Sequence, residues 1–153
     1  MKGDGQGGLR AMTGQATGIK VYGDQRGSAL GDYDQDGRVD VVVTQNGAAT
    51  KLYHNVGGKT GLRVRLSGGV GNPQGVGAVA RLEYEDGKSG PARAVLAGSG
   101  YWSQDSAVQV FGLGGVPKSL WVRWPGGQET RSPIPAGARE ISVTTSGEIK
   151  VVR

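Results

Sequence analysis

The sequence of 153 residues contains no cysteine, which excludes disulfide bonds, thiolate nucleophiles and zinc–sulfur sites. It contains a single histidine, His54, so a metal site built from several histidines is excluded as well. The longest stretch without glycine or proline is residues 101–111, and a helix needs about 20 apolar residues to cross a bilayer. The sequence therefore predicts no disulfide framework and no membrane-spanning helix.

Glycine, by contrast, fills 30 positions, and each interior glycine weakens a helix by about 1 kcal/mol. Valine and isoleucine together outnumber leucine 22 to 9, and β-branched side chains suit the pleated surface of a sheet. Turn residues divide the chain into short segments at a spacing of roughly ten residues, which is typical of sandwiches, barrels and propellers. We therefore expect an all-β protein.

The first half of the chain predicts strands at residues 19–22, 39–44 and 51–54. Val41, Val42 and Val43 form an apolar run without alternation, which predicts a central strand that is covered on both faces.

From Leu62 onward the pattern alternates strictly, so that Leu62 and Leu66 face one way while Arg63 and Arg65 face the other, towards solvent. The same alternation predicts strands at residues 79–84, 120–124 and 141–144, and a hairpin joins the last of these to residues 149–152. The change of pattern and the flexible residues 57–61 predict two units, residues 1–60 and 61–153.

The net charge is +5, with the basic excess in residues 61–153. Nucleic-acid binding favours a basic cluster or run, whereas the arginines of this segment are scattered singly. We therefore expect no nucleic-acid partner. The scattered arginines of residues 61–153 are Arg63, Arg65, Arg81, Arg93, Arg123, Arg131 and Arg139.

The N-terminal residues 1–14 contain no apolar segment of the kind found in signal peptides. We therefore expect either a cytosolic protein or a piece of a longer exported chain.

The sharpest chemical signal is residues 32–40, which hold four of the eight aspartates of the chain, Asp32, Asp34, Asp36 and Asp40. Carboxylates placed this closely repel one another unless a cation neutralises them, and Ca²⁺ takes six to eight oxygen ligands. Gly37 permits the sharp turn of a loop that wraps around an ion. We expect the Arg38 carbonyl to join the four carboxylates as a ligand, with its charged side chain pointing away.

Two other interpretations of the acidic segment stay open. An EF-hand is not one of them, because the twelfth position of an EF-hand loop requires glutamate and is Val43 here. A solvated acidic turn without a metal ion is one alternative, since such turns are common between strands. Magnesium is the other, although it rarely occupies a site made by protein ligands alone.

No catalytic constellation stands out. His54 is expected to be structural or at the surface, and Ser99 lacks the G-x-S-x-G context of a nucleophile. Glu83 and Glu85 share one face of a predicted strand, a spacing that a glycosidase pair could use, but such pairs are ordinary near hairpin turns. The glycine-rich residues 68–77 lack the spacing of a phosphate-binding loop. We therefore expect a protein that is not an enzyme.

Aromatic side chains are the main candidates for ligand contact outside the acidic segment. Alternation along residues 120–124 predicts a buried Trp124 and places Trp121 on the opposite, exposed face. Tyr101 and Trp102 follow a glycine-rich turn, where a loop can present them to a sugar or a partner protein. Tyr101, Trp102 and Trp121 are therefore the candidate ligand-facing residues.

Residues 31–43 (GDYDQDGRVDVVV), followed by Leu52-Tyr53-His54-Asn55, resemble one FG-GAP/VCBS repeat, the calcium-binding blade unit of integrin-like β-propellers. The resemblance covers residues 17–56. It implies that Asp32, Asp34, Asp36 and Asp40 bind Ca²⁺ in a loop between two strands of a blade.

The second half of the chain resembles the ASPIC/UnbV domain, which follows such repeats in proteins similar to cartilage acidic protein. Four ordered motifs over residues 62–145 carry this resemblance. They are GVGA at 75–78, AGSGYWSQ at 97–104, FGLG at 111–114 and WPGG at 124–127. At Gly126 the family often has serine.

Together the resemblances imply a β-sandwich or barrel-like C-terminal module preceded by one propeller-blade-like repeat. A propeller needs about four to eight blades, so this chain is expected to be the C-terminal part of a larger extracellular or periplasmic protein and to pack on further blades. We expect a calcium-stabilised, non-enzymatic adhesion or recognition module with a protein or glycan ligand. A carbohydrate-binding module that uses Tyr101 and Trp102, and an accessory protein of a biosynthetic pathway, are the alternatives.

Overall fold

The computed structural model describes residues 1–4 and 6–153, and this part of the chain folds into thirteen strands and one short helix. The elements are β1 Lys2–Gly3, β2 Leu9–Arg10, α1 Gly14–Thr17, β3 Asp24–Gly31, β4 Asp40–Asn46, β5 Ala48–Tyr53, β6 Leu62–Ser67, β7 Val79–Tyr84, β8 Arg93–Ala94, β9 Gln109–Phe111, β10 Pro117–Arg123, β11 Glu129–Pro133, β12 Glu140–Thr144 and β13 Ile149–Val151. The predicted all-β class is confirmed. Over the same residues, no helix has the length and apolar character needed to span a membrane.

Two four-stranded sheets enclose the hydrophobic core. One has the strand order β13-β12-β6-β9 and the other β11-β10-β7-β8. Alternate residues of β6, β7, β10 and β12 point into the same interior cluster, in which Val64, Leu120 and Ile141 are completely buried. The arrangement is that of a sandwich, and the strand orders show open sheets rather than a closed barrel.

The strands of this sandwich follow the alternation in the sequence closely. β12 pairs with β13 as the predicted hairpin, and β12 runs parallel to β6, with Glu140 opposite Arg63. Trp124 is buried as predicted. Arg63 departs from the prediction of a solvent-facing side chain, because it is only 4 % exposed and is held by two acidic partners. Arg65, two residues later, is exposed as expected.

A third sheet, of order β3-β4-β5, precedes the sandwich. The valine run lies in β4, which is the central strand as predicted. Only Val43 is buried, however, whereas Val41 and Val42 are half-buried, so the strand is not fully covered on both faces. The predicted boundary at residues 57–61 falls in the connection between β5 and β6 and stays a prediction.

The strand predicted at residues 19–22 is absent, and Tyr22 is 87 % exposed. The first strand of this sheet is β3 instead, whose sequence DQRGSALG has little intrinsic preference for a strand. Its pairing with β4 from Asp24 to Gly31 supplies hydrogen bonds that local propensity does not reveal. Contact between distant segments therefore outweighs local preference here.

Candidate metal centre

The acidic loop, residues 32–39, connects β3 to β4 and is built on side-chain-to-backbone hydrogen bonds. Asp32 accepts from the backbone N–H groups of Asp36 at 3.0 Å and Gly37 at 2.8 Å. Asp36 accepts from the Arg38 N–H at 2.8 Å. Short aspartate side chains form such turns readily, which explains why this sequence curls on itself instead of extending β3.

Gly37 has the role predicted for it. Its φ of +85° lies in the left-handed region, and an added Cβ would lie 2.6 Å from Cγ2 of Thr60 and 3.0 Å from the Gly61 carbonyl oxygen. The Gly61 N–H donates to the Gly37 carbonyl at 2.8 Å, so the turn is packed against the start of β6. Only glycine fits both requirements.

The fold brings all four predicted aspartates to one place. One carboxylate oxygen from each of Asp32, Asp34 and Asp40 lies within 4.8 Å of the others, and Asp36 joins Asp34 in a second such group. Asp40 begins β4 opposite Gly31 and is 2 % exposed. The spacing in the sequence thus translates into a compact set of hard oxygen atoms, the donor type that Ca²⁺ and Mg²⁺ prefer.

Asp40 is fixed by two further contacts. Its Oδ1 accepts from the Asn55 N–H at 2.8 Å, and its Oδ2 accepts from the Tyr33 N–H at 3.2 Å. The carboxylate therefore ties the acidic loop to the segment that follows β5. Each carboxylate oxygen has two lone pairs, so these bonds still leave acceptor capacity on both atoms.

The Arg38 side chain differs from the prediction, whereas the role of the Arg38 carbonyl as a metal ligand stays a prediction. Its side chain does not point away from the loop, because Nη2 lies 2.6 Å from Oδ2 of Asp36. The cause is electrostatic, since a guanidinium beside several carboxylates gains more by pairing than by turning to solvent. Its Nε is buried and has no hydrogen-bond partner among the described residues, a cost of about 1–3 kcal/mol.

His54 also belongs to this group, which the sequence analysis did not predict. Its Nε2 lies 2.9 Å from Oδ2 of Asp34 and 3.8 Å from Oδ2 of Asp36. The ring also meets that of Tyr33 edge-on, with centroids 5.5 Å apart. The hairpin register was the available signal, since Tyr53 pairs with Val41 and the next residue must therefore lie opposite Asp40.

Arg63 forms the base of the acidic loop. Its Nη1 contacts Oδ2 of Asp32, and its Nε donates to Oε2 of Glu140 at 2.8 Å. Arg65 binds the other oxygen of Glu140. Glu140 is 1 % exposed, so two arginines and two carboxylates form a balanced ionic network between the loop and the two central strands of a sandwich sheet.

The network shifts the titration of its members. Burial by itself raises the pKa of Asp32, but hydrogen bonds from Arg63 and from the Gly37 N–H outweigh it and hold the pKa below its ordinary value of 3.8. Burial lowers the pKa of Arg63, and its bonds to Glu140 and Asp32 reverse that effect and raise the pKa. Asp32 and Arg63 are therefore charged at neutral pH.

The predicted aromatic pair lies outside this centre, on the loop between β8 and β9. Tyr101 and Trp102 are 70 % and 76 % exposed, and their rings stack with centroids 5.3 Å apart and an interplanar angle of 11°. Trp102 has a φ of +49°, an uncommon conformation for a bulky residue. Ser103 anchors the turn, since its Oγ donates to the Tyr101 carbonyl and accepts from the Ser28 N–H of β3.

Trp121 is buried, whereas the sequence predicted an exposed side chain. It is 9 % exposed, its indole N–H donates to Glu129 at 2.9 Å, and the Arg81 guanidinium lies 4.6 Å above its ring. The side chain does face away from the core, as alternation requires, but its neighbours on the flanking strands cover it. Strand alternation identifies a face of a sheet and does not reveal what covers that face.

The glutamates considered for catalysis have structural partners or solvent around them. Glu83 accepts from the Ser119 hydroxyl at 2.8 Å and from Arg131 at 3.2 Å, while Glu85 is exposed. The hydrogen bond from Ser119, followed by that from Arg131, lowers the pKa of Glu83. This is the environment of a carboxylate that stabilises a sheet surface.

Comparison with protein families gives a match that covers most of the second half of the chain. The family described as ASPIC and UnbV matches residues 68–150, which is more than half of the chain and includes most of the sandwich. The resemblance carried by the four motifs of the second half is thereby confirmed. No FG-GAP/VCBS repeat is detected. No curated protein matches the chain.

Proposed function

This chain belongs to the ASPIC and UnbV family, and from that premise we propose that it is a non-enzymatic, calcium-binding module of an exported protein that serves adhesion or recognition. Domains of this family occur in extracellular and periplasmic repeat-containing proteins, which supports the exported location. Calcium has a structural role in this proposal: it fixes the acidic loop between β3 and β4.

The convergence of Asp32, Asp34 and Asp40 is the observation that carries the proposal. Four carboxylates in and beside this loop face two arginines, Arg38 and Arg63, and Arg63 is shared with Glu140. The loop therefore keeps an excess of negative charge that a divalent cation neutralises. A set made mainly of carboxylate oxygens, with His54 at its edge and no sulfur, fits Ca²⁺ best.

We also propose that residues 17–56 form a single FG-GAP/VCBS-like repeat, with residues 1–60 and 61–153 as separate units. The three-stranded sheet β3-β4-β5 supports this proposal, because the acidic loop joins its first two strands, as in the calcium-binding blades that the sequence resembles. Further blades of a longer protein would then pack beside this sheet.

The experiment is a thermal unfolding series in chelator, in Ca²⁺ and in Mg²⁺. Extracellular modules bind Ca²⁺ with a Kd of about 10⁻⁴–10⁻³ M, and saturation at 100 times Kd adds about 2.7 kcal/mol to the free energy of unfolding. We expect Ca²⁺ to raise the melting temperature more than Mg²⁺ does. Asp34→Asn and Asp36→Asn should abolish the increment, because they remove charge while preserving side-chain volume.

Asp24→Asn is the matched control, since Asp24 is an exposed aspartate of β3 that pairs with Arg26 outside the loop. This variant should keep the full calcium response. A wild-type protein whose melting temperature ignores Ca²⁺ would contradict the proposal and leave a solvated acidic turn as the explanation. An equal rise of the melting temperature in Mg²⁺ would make magnesium, instead of calcium, the proposed ion of the site.

A second candidate, a carbohydrate-binding module, is favoured by the exposure of Tyr101 and Trp102. Flat aromatic surfaces can stack against the apolar faces of sugar rings. A glycan array with the wild type, Trp102→Ala and the control Val70→Ala tests this function, because Val70 is an exposed apolar side chain in the connection between β6 and β7 that does not line the pocket of Tyr101. Binding that survives Trp102→Ala, or no binding by the wild type, would contradict it.

A further inference from the structure

A cleft of about 920 Å³ lies beside the acidic loop and is lined by four arginines, Arg38, Arg63, Arg139 and Arg153. They come from separate parts of the fold. Arg38 belongs to the acidic loop, Arg63 to β6, Arg139 directly precedes β12, and Arg153 follows β13. Asp36 is the one acidic residue in the described lining. Arginines that are far apart in the sequence thus line one cleft.

Backbone hydrogen bonds hold three of these arginines side by side. The Arg63 N–H donates to the Arg139 carbonyl at 3.0 Å, and the Arg139 N–H donates to the backbone oxygen of Arg153 at 2.9 Å. The Arg153 guanidinium is also positioned, because Nη1 donates to the Gln35 carbonyl of the acidic loop at 3.1 Å. The sheet therefore holds the backbones of these three arginines together, and the acidic loop holds the Arg153 guanidinium.

The four arginines differ in how far their charge is already balanced. Arg63 is neutralised by Asp32 and Glu140, and Arg38 is paired with Asp36. Arg139 and Arg153 have no aspartate or glutamate carboxylate within 4 Å in the described part of the chain. Two guanidinium groups without a side-chain carboxylate partner consequently line the cleft.

We propose that this cleft is a binding site for a small oxyanion group, a sulfate or phosphate ester, held chiefly by Arg139 and Arg153. The planar fork of a guanidinium donates two parallel hydrogen bonds to such a group, and charge-assisted bonds of this kind are stronger than neutral ones. The ligand of this cleft has the opposite charge to a calcium ion and is held by Arg139 and Arg153, which take no part in the calcium proposal, although Asp36 and Arg38 of the acidic loop also line the cleft.

The test is calorimetric titration of the full chain with inorganic sulfate and inorganic phosphate, each against chloride at equal ionic strength. All titrations are made in chelator, so that the outcome does not depend on whether the acidic loop binds Ca²⁺. We expect saturable binding that Arg139→Gln/Arg153→Gln weakens by about tenfold or more, the loss expected when charge-assisted hydrogen bonds are removed. Arg139 and Arg153 are exposed, so the double variant should retain the melting temperature of the wild type.

Arg123→Gln is the matched control, since Arg123 is an exposed arginine of β10 that does not line the cleft. It should bind the oxyanion as the wild type does. The absence of saturable binding would overturn the proposal. Equal weakening by Arg123→Gln, or binding that follows ionic strength alone, would also overturn it by showing attraction to the net positive charge.

The source of the oxyanion is resolved by a second set of titrations. A sulfated monosaccharide, the corresponding phosphorylated monosaccharide and the unsubstituted sugar are compared on the same protein. Tighter binding of the sulfated sugar assigns the site to sulfated glycans, and tighter binding of the phosphorylated sugar assigns it to phosphate esters. Equal binding of the unsubstituted sugar would contradict an oxyanion site.

Discussion

The guanidinium of Arg63 lies against the carboxylate of Asp32, although the two residues are separated by 31 positions, with Asp32 in the acidic loop and Arg63 in β6 of the sandwich. Both side chains are at least nine-tenths buried. The contact makes the base of the acidic loop part of the same ionic network that includes Glu140 of β12. The stability of the sandwich and the geometry of the loop are therefore coupled through one arginine.

Arg63→Met should destabilise the protein by about 3–5 kcal/mol, because it leaves Asp32 and Glu140 as buried carboxylates without their central partner. Arg65→Met is the control. The Arg65 side chain is 45 % exposed and Glu140 would keep Arg63, so a loss of about 1 kcal/mol or less is expected. Chemical denaturation of both variants measures the difference. Equal losses of the free energy of unfolding would show that the burial of these side chains does not determine how much the ionic network stabilises the protein.

Stability should fall in acid through Glu140. Burial by itself raises its pKa, but hydrogen bonds from Arg65 and Arg63 outweigh this and leave the pKa of the folded protein below the ordinary value of 4.5. The unfolded chain therefore binds more protons in this range, and stability rises with pH. The stabilising contribution of the Glu140 carboxylate is present above pH 4.5 and is lost as the pH falls through the pKa of Glu140 in the folded protein.

The measurement is the free energy of unfolding across a pH series that passes through this window. Glu140→Gln should flatten the dependence, because the amide does not titrate there. Glu148→Gln, at an exposed position in the turn before β13, should retain the wild-type slope. A slope that Glu140→Gln leaves unchanged would assign acid sensitivity to other groups.

The backbone of Trp102 gives a third prediction. An L-residue in the left-handed region costs about 1–2 kcal/mol, which glycine avoids at some entropic cost in the unfolded chain. Trp102→Gly should therefore be more stable than Trp102→Ala by up to about 1 kcal/mol, since both remove the ring and only one removes the strain. Thermal unfolding compares the two. An alanine variant as stable as the glycine variant would show that the φ of +49° carries no strain.

Gly27 supports the aromatic loop from the side of β3. An added Cβ would lie 2.4 Å from the carbonyl oxygen of Trp102, a backbone atom that cannot move without moving the loop. Gly27→Ala should cost about 1–3 kcal/mol and change the fluorescence of Trp102, because overpacking forces a backbone shift. Gly57→Ala, with open space around its Cβ position, is the control and should show neither effect.

Local patterns predicted much of the fold and part of the site. Alternation placed β6, β7, β10 and β12 within one or a few residues of their observed positions, because one face of each strand must be buried. The spacing of the aspartates and the position of Gly37 predicted a compact loop of carboxylates. Both signals depend on residues close together in the chain, whose geometry the backbone fixes locally.

Other features were missed because they depend on distant partners. β3 forms where propensity is weak, since β4 pairs with it, and His54 joins the aspartates because hairpin register brings it opposite Asp40. Arg63 was expected in solvent because the alternation of β6 says nothing about an acidic loop packed over that face. Trp121 was expected to be exposed for the same reason, with Arg81 covering it instead.

The sequence by itself determined that the protein is built of strands, which faces of the sandwich strands point inward, and that four carboxylates share one short segment. These properties follow from side-chain branching, a two-residue period and chain connectivity. Only the tertiary structure decided which charges meet. Arg63 contacts Asp32, Arg139 is hydrogen-bonded through its backbone to Arg153, and His54 contacts Asp34. The energies of such contacts depend on distance and burial, and only the folded chain sets both.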